Sequence, residues 1–152
     1  MFRGRFVHTM DSKGRISIPQ GFRLELQRRS ERAPILTNSD QCLLLFPSEE
    51  WRAFEEQIVG LSSFDPDVLD FGRMMISGAS ECPIDAQGRI LVPPVLREHA
   101  RLEREAVIAG CGQRLELWDK GRFDANLQKT QARFLEISSA IANMAKLQKQ
   151  QS

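Results

Sequence analysis

Tyrosine is absent from the 152 residues, histidine occurs twice (His8, His99) and cysteine three times (Cys42, Cys82, Cys111). The cysteines are odd in number and none stands in C-x-x-C spacing, which argues against a disulfide framework and against a zinc site. No P-loop, G-x-S-x-G or H-E-x-x-H string occurs, and no histidine stands near a candidate nucleophile. The paired carboxylates Glu49-Glu50 and Glu55-Glu56 fall on a helix read as exposed and need no catalytic explanation. An enzyme, a cofactor and a resident metal are therefore not expected. No apolar run approaches the ~18 residues of a membrane span. Met1-Phe2-Arg3-Gly4-Arg5 leads into alternating sequence rather than the apolar core of a signal peptide, so a cytoplasmic address without a membrane partner is expected.

Apolar residues make up 41% of the chain, enough for the core of one domain or of two halves sharing it. The net charge of +1 hides an asymmetry. Residues 1–29 carry seven basic and two acidic side chains (+5), residues 30–83 three and ten (−7), and residues 84–152 eleven and eight (+3). Segregated positive charge of this kind suggests an anionic partner.

The positive segments hold a repeated string. Asp11-Ser12-Lys13-Gly14-Arg15-Ile16-Ser17-Ile18-Pro19 recurs as Asp85-Ala86-Gln87-Gly88-Arg89-Ile90-Leu91-Val92-Pro93, with an offset of 85 − 11 = 74 residues. Asp, Gly, Arg, Ile and Pro keep their places, which marks an internal duplication. In the first copy Arg5 to Met10 reads as a strand and Asp11–Gly14 as a tight turn. Asp suits the first turn position because its carboxylate accepts backbone N–H groups, and Gly suits the fourth, where positive φ is needed. Asp11, Gly14, Asp85 and Gly88 are thus turn-forming residues. Arg15 to Ile18 resumes as a strand, completing a hairpin with Ile16 and Ile18 on one face and Arg15 and Ser17 on the other. Pro19 then opens a short helix to Arg28.

Pro34 to Asn38 and Cys42 to Phe46 read as strands, the second buried on both faces. Ser48 is the expected cap of a helix carrying Trp51, Phe54 and Ile58, and Asp65-Pro66 announces another, stopped at Ser77-Gly78. The second copy then repeats the order, with Arg97 falling on Arg23 and Leu115, Leu117 and Trp118 on Leu43, Leu45 and Phe46. After Phe123 the spacing of Leu127, Phe134, Ile137, Ile141 and Met144 gives one amphipathic helix.

These strings, with Met1-Phe2-Arg3-Gly4, Cys42-Leu43-Leu44-Leu45, Ala79-Ser80-Glu81-Cys82, Pro94-Val95-Leu96-Arg97 and Leu115-Glu116-Leu117-Trp118-Asp119, resemble the MraZ family of bacterial transcriptional regulators over residues 1 to about 122. The resemblance implies an α+β fold: an AbrB-like swapped-hairpin β-barrel formed by two tandem SpoVT-AbrB repeats, with flanking helices and a C-terminal helix. Repeat 1 would span 5–50, a helical connector 51–78, repeat 2 79–122 and a C-terminal extension 123–152. It also implies a ring-shaped homo-oligomer, associated with the nucleoid, that binds repeated boxes in promoter DNA of the cell-division and cell-wall gene cluster, mainly as a repressor.

On that reading Arg15, Lys13, Arg89, Arg3 and Arg5 are the DNA-binding residues. Lys13 supplies a point charge for phosphate. Arg15 can address phosphate or the O6/N7 edge of guanine, and Arg3 and Arg5 assist on phosphates. Gln87 and Leu91, standing where the first copy has Lys13 and Ser17, make the second hairpin less basic. The competing reading is a ring scaffold that engages proteins through its acidic middle and C-terminal helix. An antitoxin of AbrB type is disfavoured by the second repeat.

Overall fold

Ile16 and Ile90, the apolar centres of the two repeated strings, face each other. In the computed structural model, which describes residues 1–152, β2 (Arg15–Ser17) pairs antiparallel with β6 (Arg89–Leu91) in the register Arg15↔Leu91, Ile16↔Ile90, Ser17↔Arg89. Both isoleucines are 1% exposed. The Asp11 turn reverses the chain as expected, but β2 does not complete a hairpin with the preceding strand. A turn signal sets the reversal and leaves the partner open; here burying the two isoleucines selects the non-local copy.

The remaining strands are β1 (Phe2–Thr9), β3 (Ile35–Asn38), β4 (Leu43–Phe46), β5 (Ser80–Glu81), β7 (Glu105–Gly112) and β8 (Leu115–Asp119). They form one six-stranded sheet in the order β1-β7-β8-β4-β3-β5. Exchanging β1 with β5, β3 with β7 and β4 with β8 reverses this order onto itself, so the duplication is expressed as a pseudo-twofold axis between β8 and β4. Each repeat supplies an adjacent pair, β4–β3 or β8–β7, and lays its first strand, β1 or β5, on the outer edge of the other repeat's pair.

The expected β-barrel is not formed. Closure requires the outer strands to pair, yet β1 pairs only with β7 and β5 only with β3. β5 is two residues long and Pro83, just after it, has no N–H with which to extend a ladder. The fold is α+β with two separate antiparallel sheets.

Helices α1 (Gln20–Arg29) and α4 (Pro94–Ala100) follow β2 and β6, each entered through the extended proline that ends its strand, Pro19 or Pro93. They bury Phe22 and Leu26, and Leu96 and Ala100, into a core with Ile16, Ile18, Leu43, Leu45, Ile90, Val92, Ile108, Leu115 and Leu117. β4 is buried along its whole length. α2 (Ser48–Val59) begins directly after Pro47, so Ser48 is its first residue and not its cap. Trp51 and Phe54 pack on Phe46 at centroid distances of 5.4 and 5.7 Å. α3 (Pro66–Phe71) is capped by Asp65, whose carboxylate accepts the Asp67 N–H, and runs into a π-helical turn, Gly72–Ile76.

Thr37 is the one fully buried polar side chain of the core, and its hydroxyl donates to the Met75 carbonyl at 2.6 Å. Thr37→Val keeps the volume and strands that carbonyl. The expected cost is about 1–3 kcal/mol, seen as a lower urea midpoint with an unchanged m value.

Residues 1–120 form one compact unit and residues 121–152 another. The second is not the single helix expected: α5 (Lys120–Ala132) and α6 (Phe134–Gln151) are separated at Arg133, whose φ of −117° breaks the α-helical ladder. Phe134, Leu135, Ile141, Met144 and Leu147 are exposed on α6.

Candidate nucleic-acid interface

The two turns are built alike. The Asp11 carboxylate accepts the N–H groups of Lys13 and Arg15, each at 2.9 Å, and the Asp11 carbonyl accepts Gly14 N–H at 3.0 Å. Asp85 repeats this with Gln87, Arg89 and Gly88, at 2.9 Å throughout. Gly14 (φ 86°) and Gly88 (φ 77°) occupy the left-handed region that a side chain disfavours. The turns are also stitched across the pseudo-twofold: Ile18 N–H donates to the Gly88 carbonyl and Val92 N–H to the Gly14 carbonyl, both at 2.9 Å.

A further pair of bonds obeys the same offset (82 − 8 = 91 − 17 = 74). His8 Nδ1 donates to the Ser17 carbonyl at 2.6 Å, and Cys82 Sγ to the Leu91 carbonyl at 3.7 Å. Burial pushes the Cys82 thiol up to about 12, so it stays a neutral donor.

The Arg15 backbone N–H above all, joined by the Arg15 guanidinium and the Lys13 N–H, holds the Asp11 carboxyl down from 3.8 to about 2, against partial shielding from water. Asp85 is lowered by the equivalent bonds from Arg89 and Gln87. Since the folded value lies below the unfolded one, the turn's stabilisation is complete above about pH 4 and is lost as pH falls toward 2. The amide resonances of Lys13 and Arg15 are accordingly expected to titrate with a midpoint near 2; a midpoint at 3.8 would mean that these bonds do not hold the carboxylate in solution.

Because paired residues of a β-ribbon project to the same side and Ile16 and Ile90 point inward, Arg15, Ser17, Arg89 and Leu91 form the outer face. Arg15 Nε donates to Asp11 Oδ2 at 2.7 Å, and neither of its terminal nitrogens is bonded within the chain. Arg89 is held less closely, Nε to Asp85 Oδ2 at 3.1 Å, and its Nη2 is engaged by Gln87 Oε1 at 3.2 Å. Both ion pairs are about one-third exposed and screened by solvent, so they add little to stability and their effect is to aim the guanidinium.

Of the other residues singled out in the sequence, Lys13 is exposed at the turn beside Arg15. Arg3 and Arg5 lie instead in the six-stranded sheet, on β1, both exposed and on one side of the strand. Much of the remaining N-terminal positive charge is neutralised internally. Glu25 accepts from Arg28, Arg29 and the N-terminal amine, and Arg29 also reaches Glu50 at 3.0 Å. What sequence reading missed is Arg23 and Arg97, which close over Gly88 and Gly14. The 74-residue offset between them was the available signal.

A duplicated α+β chain whose two halves meet in a ribbon with tethered arginines on its outer face presents a surface suited to an anionic partner. Comparison with known proteins narrows this. The family model described as "MraZ protein, putative antitoxin-like" matches residues 1–74 and again 75–144. The transcriptional regulator MraZ of Carboxydothermus hydrogenoformans is 41% identical over 143 residues, covering 94% of this chain and 98% of the relative. Those of Syntrophobacter fumaroxidans and Alkaliphilus oremlandii are 39% and 40% identical, covering 93% and 95% of this chain and 94% and 99% of the relatives. The chain belongs to the MraZ family. These relatives bear the name of regulators, not of enzymes. No helix is long and apolar enough to cross a membrane.

Proposed function

We propose that the outer face of the β2–β6 ribbon is the surface with which this transcriptional regulator reads promoter DNA. The observation that carries this reading is that Arg15 and Arg89 share that face, each steered by a carboxylate through Nε while terminal nitrogens of Arg15 remain available. A two-stranded ribbon fits the major groove of B-DNA, and an arginine presenting two N–H groups there pairs with guanine O6 and N7, discriminating by roughly 1–3 kcal/mol.

Arg15 is the principal base contact, Arg89 the weaker one, and Lys13 a phosphate contact. Arg3 and Arg5 add phosphate contacts from β1. On this reading residues 5–50 and 79–122 are the SpoVT-AbrB repeats, 51–78 their helical connector and 123–152 an extension. A few cations on one subunit bind weakly. A ring-shaped homo-oligomer on repeated boxes upstream of the cell-division and cell-wall genes gains ~10²–10⁴ by effective concentration. Such a complex is nucleoid-associated and acts mainly as a repressor.

The test is a titration of the wild-type protein, by fluorescence anisotropy at several salt concentrations, with the duplex from upstream of its own gene and with a scrambled duplex. Tight, salt-steep binding to the first and weak binding to the second is expected. Equal, weak binding to both would remove this reading and favour a ring scaffold that engages proteins.

A further inference from the structure

Two arginines lie over the symmetry-related turns without a partner. Arg23 on α1 and Arg97 on α4 are separated by the repeat offset, 97 − 23 = 74. Arg97 lies over Gly14 so closely that a Cβ there would stand 2.7 Å from its Cζ and Nε. Arg23 lies over Gly88, where a Cβ would overlap Nη1 and stand 2.5 Å from Cζ. Each turn is therefore roofed by an arginine of the other repeat; the positive φ calls for glycine there, and a Cβ would in addition have to push the arginine aside.

Both arginines are half-buried. Arg15, Arg28, Arg29 and Arg89 all have carboxylate partners, but neither Arg23 nor Arg97 makes a side-chain hydrogen bond or ion pair within the chain. Arg97 Nε is buried with no acceptor. The nearest turn carboxylates, Asp11 and Asp85, already hold Arg15 and Arg89. A guanidinium keeps its charge at any physiological pH, and withdrawing charge from water without a partner is unfavourable. Roofing a turn needs only a long side chain. A lone positive charge, kept at both equivalent positions beside the turns of the ribbon, calls for an anion from outside.

We propose that Arg23 and Arg97 are phosphate anchors: each binds one backbone phosphodiester of duplex DNA beside the turn it roofs, fixing the height and angle of the ribbon over the bases. The proposal rests on the reading of the ribbon as a DNA-reading face and deepens it. Phosphate contacts set register and carry no sequence information. The anchors therefore hold any duplex, while Arg15 distinguishes one duplex from another.

The expected signature is specific. In the double variant Arg23→Met, Arg97→Met, which keeps two long side chains and removes both charges, affinity falls for the native and the scrambled duplex alike. The slope of log K against log salt falls by about 1.8 for each subunit engaged, at ~0.9 for every phosphate that is no longer neutralised. The ratio of the two affinities is unchanged. An unchanged slope, or a collapsed ratio whatever the slope, overturns the proposal.

Should the double variant not fold, the wild-type protein decides. Phenylglyoxal modification mapped by mass spectrometry is expected to show Arg23 and Arg97 protected by the duplex, and undiminished reactivity refutes the anchors. Arg15→Ala, run in parallel, separates this failure from failure of the ribbon reading. An affected ratio in Arg15→Ala with indifferent anchors removes only the anchors. Anchor protection with an Arg15 of no consequence removes the ribbon as reader and leaves a non-specific phosphate clamp.

Discussion

Arg15→Ala is expected to lower the preference for the native over the scrambled duplex by roughly 5- to 150-fold for each box engaged, the equivalent of the ~1–3 kcal/mol carried by one bidentate arginine–guanine pair. Across several boxes the loss is compounded, because avidity multiplies single-box affinities. The fold should survive. The Asp11–Arg15 ion pair is one-third exposed and screened by solvent, and the carboxylate keeps both backbone donors after the guanidinium is gone. Arg89→Ala should have a smaller effect, since Gln87 already occupies one of its terminal nitrogens. Competition binding with the two duplexes, and light scattering to verify the oligomer, make the comparison. Retained discrimination in Arg15→Ala would show that the bases are read elsewhere.

The largest effect on stability is expected from Gly110→Ala. Gly110 pairs with Gly4 on β1 and with Leu115 on β8. A Cβ there would overlap Arg3 N and stand 2.7 Å from Phe2 C and 2.8 Å from Arg3 Cα. These are backbone atoms, so no rotamer change relieves the clash and the start of β1 must move. Phe2, 2% exposed and in edge contact with Phe22 at 5.9 Å, would be drawn out of the core. Overpacking together with the lost burial should cost about 2–5 kcal/mol, lowering Tm by roughly 5–15 °C in a chain of this size. Gly21→Ala, a helical position with open space around its Cβ, is the control and should stabilise by up to about 1 kcal/mol. Equal Tm values for the two variants would mean that β1 and β7 do not approach closely enough in solution to exclude a methyl group.

The sequence made some of this legible and hid the rest for definable reasons. The D-x-x-G-R-I strings encode their turns locally, through a carboxylate and a glycine whose partners lie within four residues. Strand position was legible too, from the alternation at Ile16 and from the apolar run at Leu43–Phe46. Pairing was not. Two strings of nearly equal composition can each fold back on their own strand or on each other, and only the burial of Ile16 against Ile90 separates the cases. The end strands illustrate the same limit: nothing local at Ser80–Glu81 says that β5 stops too soon to meet β1.

The arginines divided similarly. Arg15 and Arg89 stood out because they belong to the repeated strings. Arg23 and Arg97 had only their offset to mark them, and their contact is with the opposite copy. Conversely, Arg28 and Arg29 contributed to the apparent basic patch until Glu25 and Glu50 were seen to neutralise them. Net charge along a segment counts cations without regard to whether they are already paired. The break at Arg133 has neither a glycine nor a proline to announce it.

That the ribbon's outer face meets DNA is tested most directly by photocrosslinking from Ser17, which lies on that face directly across from Arg89. With p-benzoylphenylalanine at position 17, and in a separate protein at the exposed position Gln57 of α2, irradiation with the upstream duplex is expected to give a protein–DNA adduct from position 17 and none from position 57. Adducts from position 57 and none from position 17 would contradict the ribbon as the DNA-reading surface.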